Sequence, residues 1–84
     1  MFDENIETIR GLIEKFRNEP REQTPEKDRL RVAWDNLAGH TLVFVDTAEQ
    51  FEALKAVVRH GNKALKEQMN IKARQMDLEA PFEL

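Results

Sequence analysis

Phe2, Ile6, Ile9, Ile13 and Phe16 recur at steps of four, three, four and three residues. That spacing stacks them on one face of an α-helix, and Leu12 widens the stripe. Asp3 and Glu4 stand where the helix dipole favours anions, Lys15 and Arg17 where it favours cations. Asn18-Glu19-Pro20 ends the pattern, because proline disfavours helical backbone in the residue before it. The spacing therefore predicts a helix over 3–18. Its stripe is read as a core face. A coiled-coil seam of only about two heptads is too short to stand alone.

Residues 20–24 are polar and form a linker. A second start signal follows, with Thr24 as cap, Pro25 at the first helical position, and Glu26 and Asp28 in the opening turn. Leu30, Ala33, Trp34, Leu37 and Ala38 keep the helical period, and Gly39 suits the position just past a helix end. A helix over 25–38 is predicted. A rival pattern overlaps it: Leu30, Val32 and Trp34 alternate, as do Leu42 and Phe44. That alternative is an α-β-β-α chain with a hairpin at 29–45. The capped, proline-started helix is preferred, leaving 41–45 (Thr-Leu-Val-Phe-Val) as a short extended segment.

The longest helical signal is 46–76. It opens on Asp46-Thr47-Ala48-Glu49, an oxygen-bearing cap with an acid three residues on, and a helix over 47–76 is expected. Leu54, Val58, Leu65, Met69 and Met76 fall on one side, and Arg59, Lys63, Lys66 and Arg74 on another. Gly61-Asn62 is the weak point. Either the helix ends near His60 and Asn62 caps a new one, or it continues and Gly61 lets another helix approach closely. The place of Gly61 on the apolar side favours the continuous form. The fold class is mainly α: a small bundle of three or four helices. Its expected core is Ile6, Ile9, Ile13, Phe16, Leu30, Trp34, Leu37, Phe44, Phe51, Leu54, Val58 and Leu65.

Eighty-four residues make a single helical domain, taken as 1–76, followed by an acidic tail, 77–84. The core of so short a chain is modest, and no cysteine is present to staple it. Self-association or a partner is the expected compensation. The start is acidic, unlike a signal peptide, and no apolar run approaches the roughly 20 residues of a membrane span. A cytoplasmic protein with no membrane role is expected. Charge is unevenly placed. Residues 61–76 carry four bases and one acid, whereas 77–84 carry three acids and no base. The whole chain is −3.

Catalytic equipment is sparse. His40 and His60 are the only histidines, and Ser, Cys and Tyr are absent. There is no Gly-rich phosphate loop, no GxSxG and no HExxH. No enzyme, metal or cofactor is expected. Three features suit partner binding: the basic stripe Arg59, Lys63, Lys66 and Arg74; the tail residues Leu78, Phe82 and Leu84; and Trp34 as an interface anchor. Each has a plainer reading, namely a solvated helix face, a tail frayed or folded back on the basic helix, and a core tryptophan. Met76-Asp77-Leu78-Glu79-Ala80-Pro81-Phe82 resembles the acidic tip of bacterial single-stranded DNA-binding proteins, except that Glu83 and Leu84 follow the Phe that should come last. Gln75-Met76-Asp77-Leu78 resembles all but one position of the bacterial sliding-clamp motif, with Glu79 where an apolar residue belongs. Both stretches are short, and neither assigns a family. The function expected is a small regulatory or adaptor protein acting through a protein partner. The alternatives are a nucleic-acid-binding module using the basic stripe and a self-assembling homo-oligomeric subunit.

Overall fold

The computed structural model describes residues 1–19 and 21–84. Four helices lie among them: α1 (Phe2–Asn18), α2 (Pro25–Leu42), α3 (Ala48–Val58) and α4 (Lys63–Gln75). No strand forms among the described residues. The protein is a small helical bundle, and the hairpin alternative at 29–45 is excluded because those residues are almost all helical.

α1 buries Ile6, Ile9 and Ile13, with Phe2, Leu12 and Phe16 packed at the edge of the core. Phe16 joins α1 to α2. It meets Trp34 edge-on, with ring centroids 4.8 Å apart at 87°, and carries the Lys27 ammonium 4.7 Å from its centroid. Glu19 turns extended after the helix, as a residue before proline should. The predicted stop at Pro20 itself lies outside the described residues.

α2 starts as predicted, with the Thr24 hydroxyl accepting the Lys27 N–H at 3.2 Å and Pro25 in the first turn. Its end differs. The helix passes through Gly39 to Leu42, and the extended segment expected at 41–45 is a last helical turn followed by a tight turn. Core burial explains the change. Ala38, Thr41, Leu42 and Val45 all fall inside, and the Thr41 hydroxyl is satisfied by donating to Leu37 O at 2.6 Å. Packing of this kind overrides the local β preference of Thr and Val. Phe44, expected in the core, is 47% exposed. Leu30 and Leu37 are half-buried.

The 47–76 signal is two helices. α3 is capped by Thr47, not Asp46. The Thr47 hydroxyl accepts the Gln50 N–H at 3.2 Å, and Gln50 Oε1 accepts the N–H groups of Thr47 and Asp46. The chain then breaks at the residues flagged as weak. The Gly61 N–H donates to Val58 O, and Asn62 caps α4 by accepting the Leu65 N–H at 2.8 Å. Gly61 is buried in this corner. A Cβ there would lie 2.9 Å from Asp35 Oδ1, 2.9 Å from Leu65 Cδ2 and 3.0 Å from Val58 O. Its φ is not positive, so the corner selects glycine for space rather than for conformation. Close approach, expected of a continuous helix, is thus achieved at a break.

Asp35 closes the corner from α2. Its Oδ1 is buried without a hydrogen bond of good geometry. Burial raises its pKa above the usual carboxylate value, and Arg31, the Asn62 backbone and Trp34 only partly oppose this. A raised pKa means that the folded state binds the proton more tightly than the unfolded one. The burial penalty is therefore full at neutral pH and is relieved as pH falls through the folded pKa. Asp35→Asn should raise the thermal midpoint at neutral pH, and the gain should shrink toward about pH 4. Paired melts of the two proteins across that range check this.

Among the described residues, no helix is long and apolar enough to cross a membrane.

Candidate functional site

The most developed surface feature is the outer face of α4 together with the tail that returns along it. The return is built locally. α4 closes with the Asp77 N–H donating to Arg74 O at 3.2 Å and the Leu78 N–H to Ala73 O at 2.7 Å. This is the paired pattern of a helix ending in one left-handed residue. Asp77 is that residue, with φ 61°, the only non-glycine positive φ among the described residues. Asp tolerates this region better than most side chains, though not freely. The reversal sends residues 78–84 back beside their own helix.

Asn70 then holds the returning chain at two points. Its Nδ2 donates to Phe82 O at 2.9 Å, and its Oδ1 accepts the Phe82 N–H at 3.1 Å. A carboxamide that pairs with both backbone groups of one residue replaces a strand neighbour for that residue. It reads the backbone of an extended segment and leaves the side chain to be read elsewhere. The Phe82 ring lies under the Lys66 ammonium, 5.7 Å from centroid to nitrogen. Leu78 and Phe82 pack against the core, alongside Met76. Leu84 is 58% exposed.

The residues picked out by sequence pattern are only partly brought together. Lys66 meets Phe82. Lys63 and Arg74 are exposed on α4. Arg59 is on no common helix with them: it caps α3, and its Nε lies 3.3 Å from His60 Nε2. The single basic stripe is therefore divided by the Gly61 corner. Trp34 is 2% exposed and sits in the core. Opposite charge is not what seats the tail. The one ion pair among the described residues is Glu52–Lys55, at 3.7 Å, and Asp77, Glu79 and Glu83 are exposed. Apolar packing and the Asn70 clamp hold it instead.

Asn70 was the residue that pattern reasoning missed. A lone Asn within a helix carries no periodic signal. The available hint was its position beside Lys66, opposite a tail rich in apolar residues.

No protein-family model, curated protein or solved structure matches this chain.

Proposed function

We propose that the protein is a non-enzymatic regulator or adaptor that binds a protein partner through the outer face of α4. The observation that carries this is the two-point hydrogen bond between the Asn70 side chain and the Phe82 backbone. It makes α4 a receptor for an extended segment with an aromatic or large apolar side chain at the clamped position and acids around it. The chain's own tail fills that receptor in cis. A partner segment of the same chemistry competes for it.

Such competition has a definite consequence. A tethered ligand acts at an effective concentration in roughly the millimolar range. An incoming segment binds only the fraction of molecules whose tail is released, and its apparent affinity falls by that fraction. The tail then sets a threshold, which is the behaviour of a regulator rather than of an open scaffold. The exposed cations Lys63 and Arg74 favour an acidic segment through encounter rate more than through final affinity.

A second reading rests on Asp77. Relaxing its left-handed backbone would free the tail to reach the α4 of another copy, giving a homo-oligomer by exchange. Light scattering over a range of concentrations separates this from a monomeric adaptor. A nucleic-acid role has less support, because the four cations proposed for it do not share one face.

The clamp is tested by hydrogen exchange on the full chain. Asn70→Ala removes both partners of Phe82, at about 1 kcal/mol each. Protection at the Phe82 amide should fall by about tenfold or more, while the amides of Ile9 and Leu54 stay protected. Unchanged exchange at Phe82 would remove the clamp as the basis of the proposal.

A further inference from the structure

A second site lies on another part of the surface, where cations from all four helices gather. α1 supplies Arg10 and Arg17, α2 supplies Arg31, the end of α3 supplies Arg59 with the adjoining His60, and α4 supplies Lys66. Arg17 Nη2 lies 2.8 Å from His60 Nε2, and Arg59 Nε lies 3.3 Å from the same nitrogen. An imidazole nitrogen has one lone pair. Two guanidiniums from different helices thus converge on a single acceptor that can fully satisfy only one of them. His60 must be neutral to accept at all, with its proton on Nδ1.

A hollow opens on each side of this bridge. One, of about 370 Å³, has Arg10, Arg17, Arg59 and His60 above Ile13 and Val57. The other, of about 200 Å³, has Arg17, Arg31 and His60 above Phe16 and Trp34. Their cations have little local compensation. None of the four arginines is in an ion pair among the described residues. Glu14 borders the first hollow without forming one, and Asp35 acts on Arg31 only at longer range. This is a concentrated positive site on a chain whose net charge is −3.

We propose that the Arg17–His60–Arg59 cluster binds a doubly charged oxyanion of the phosphate type. Guanidiniums pair with phosphate through paired N–H donors, and one phosphate offers several acceptors where the imidazole offers one. Two guanidiniums at the centre, with Arg10 and Arg31 flanking, match a dianion better than a monoanion. The apolar floors leave room for a carbon group carried by the phosphate. The site does not depend on the tail or on Asn70, although Lys66 borders both regions.

The cluster also couples binding to protons. Burial lowers the His60 pKa, and Arg17, Arg59 and Lys66 lower it further. Glu14 is the acid nearest the same hollow and is too exposed to reverse this. A bound dianion draws the guanidiniums to itself and favours the imidazolium, which then becomes a further donor. Binding takes up a proton, so affinity should rise as pH falls through the His60 pKa.

The test is a titration of the full chain, with the His60 ring protons followed by NMR at constant ionic strength. Inorganic phosphate and phenyl phosphate are the ligands, with chloride and acetate as controls. Saturable shifts are expected with both phosphates. Tighter binding of phenyl phosphate would assign the hollows to a phosphate-bearing organic molecule, and equal binding would assign the site to the free ion. Sulfate, which stays dianionic, should bind more tightly at about pH 6 than at about pH 7.5. Arg17→Gln and Arg59→Gln should each weaken phosphate binding about tenfold or more, the loss of one charge-assisted contact. Lys63→Gln should leave it unchanged. Shifts of equal size in chloride, or phosphate binding indifferent to both arginine variants, would overturn the proposal.

Discussion

Trp34→Ala is expected to remove about 3–5 kcal/mol of folding stability. The side chain is 2% exposed, it is held edge-on by Phe16, and it closes the α1–α2 joint together with the buried Ala38. A buried aromatic of this size removes roughly 150–250 Å² from water, and truncation leaves a hole that rigid helices fill poorly. A domain of this length has only about 4–13 kcal/mol in hand. The variant should therefore unfold at a much lower urea concentration, or lack a folded baseline altogether. A tryptophan acting as an exposed interface anchor would behave differently. Its removal would leave the midpoint within about 0.5 kcal/mol of the parent and reduce partner binding alone. Chemical unfolding followed by circular dichroism separates the two.

Gly61→Ala is expected to destabilise by about 1–3 kcal/mol, against the usual trend for glycine-to-alanine changes. Three atoms crowd the new methyl. Asp35 Oδ1 and Leu65 Cδ2 are side-chain ends that can yield, but Val58 O is backbone and belongs to the turn that ends α3. Gly61→Val should be worse. Gly11→Ala is the internal control. It lies on the exposed side of α1 with nothing within 4 Å of the new Cβ. That change should stabilise by about 0.5–1 kcal/mol through helix propensity. If urea midpoints moved upward for both glycines, the corner between α3 and α4 would not be as tight as these distances require.

These two residues also mark what pattern could and could not reveal. The isoleucine stripe of α1, the Thr24-Pro25 start and the weakness at Gly61-Asn62 were legible because each follows from local chemistry: period, cap and backbone freedom. The end of α2 was not. Gly39 reads as a stop, and Thr41 to Val45 read as strand, until the core that receives Thr41, Leu42 and Val45 is known. The same holds for the break at Gly61. Its place on the apolar side suggested a continuous helix, yet the crowding that requires glycine comes from the turn itself, through Val58 O and Leu65, and from Asp35 on a helix far away in sequence. The surface followed this division. Lys66 and Phe82 were visible as a basic residue and an apolar tail residue. Their meeting depends on the left-handed turn at Asp77 and on Asn70, neither of which leaves a periodic trace. The arginine cluster is more remote still, because its members come from separate helices and only the packing of the bundle places them side by side.

The receptor face of α4 is tested most directly with the full chain carrying Phe82→Ala, which weakens the cis tail while leaving Asn70 in place. A fluorescently labelled peptide of residues 76–84 is titrated with this protein and its anisotropy is recorded. A saturable isotherm is expected for Phe82→Ala. The parent chain should bind the peptide at least about tenfold more weakly, because its own tail competes. The double variant Phe82→Ala/Asn70→Ala should not bind it. A flat trace with Phe82→Ala, or an isotherm that survives the loss of Asn70, would contradict the proposed role.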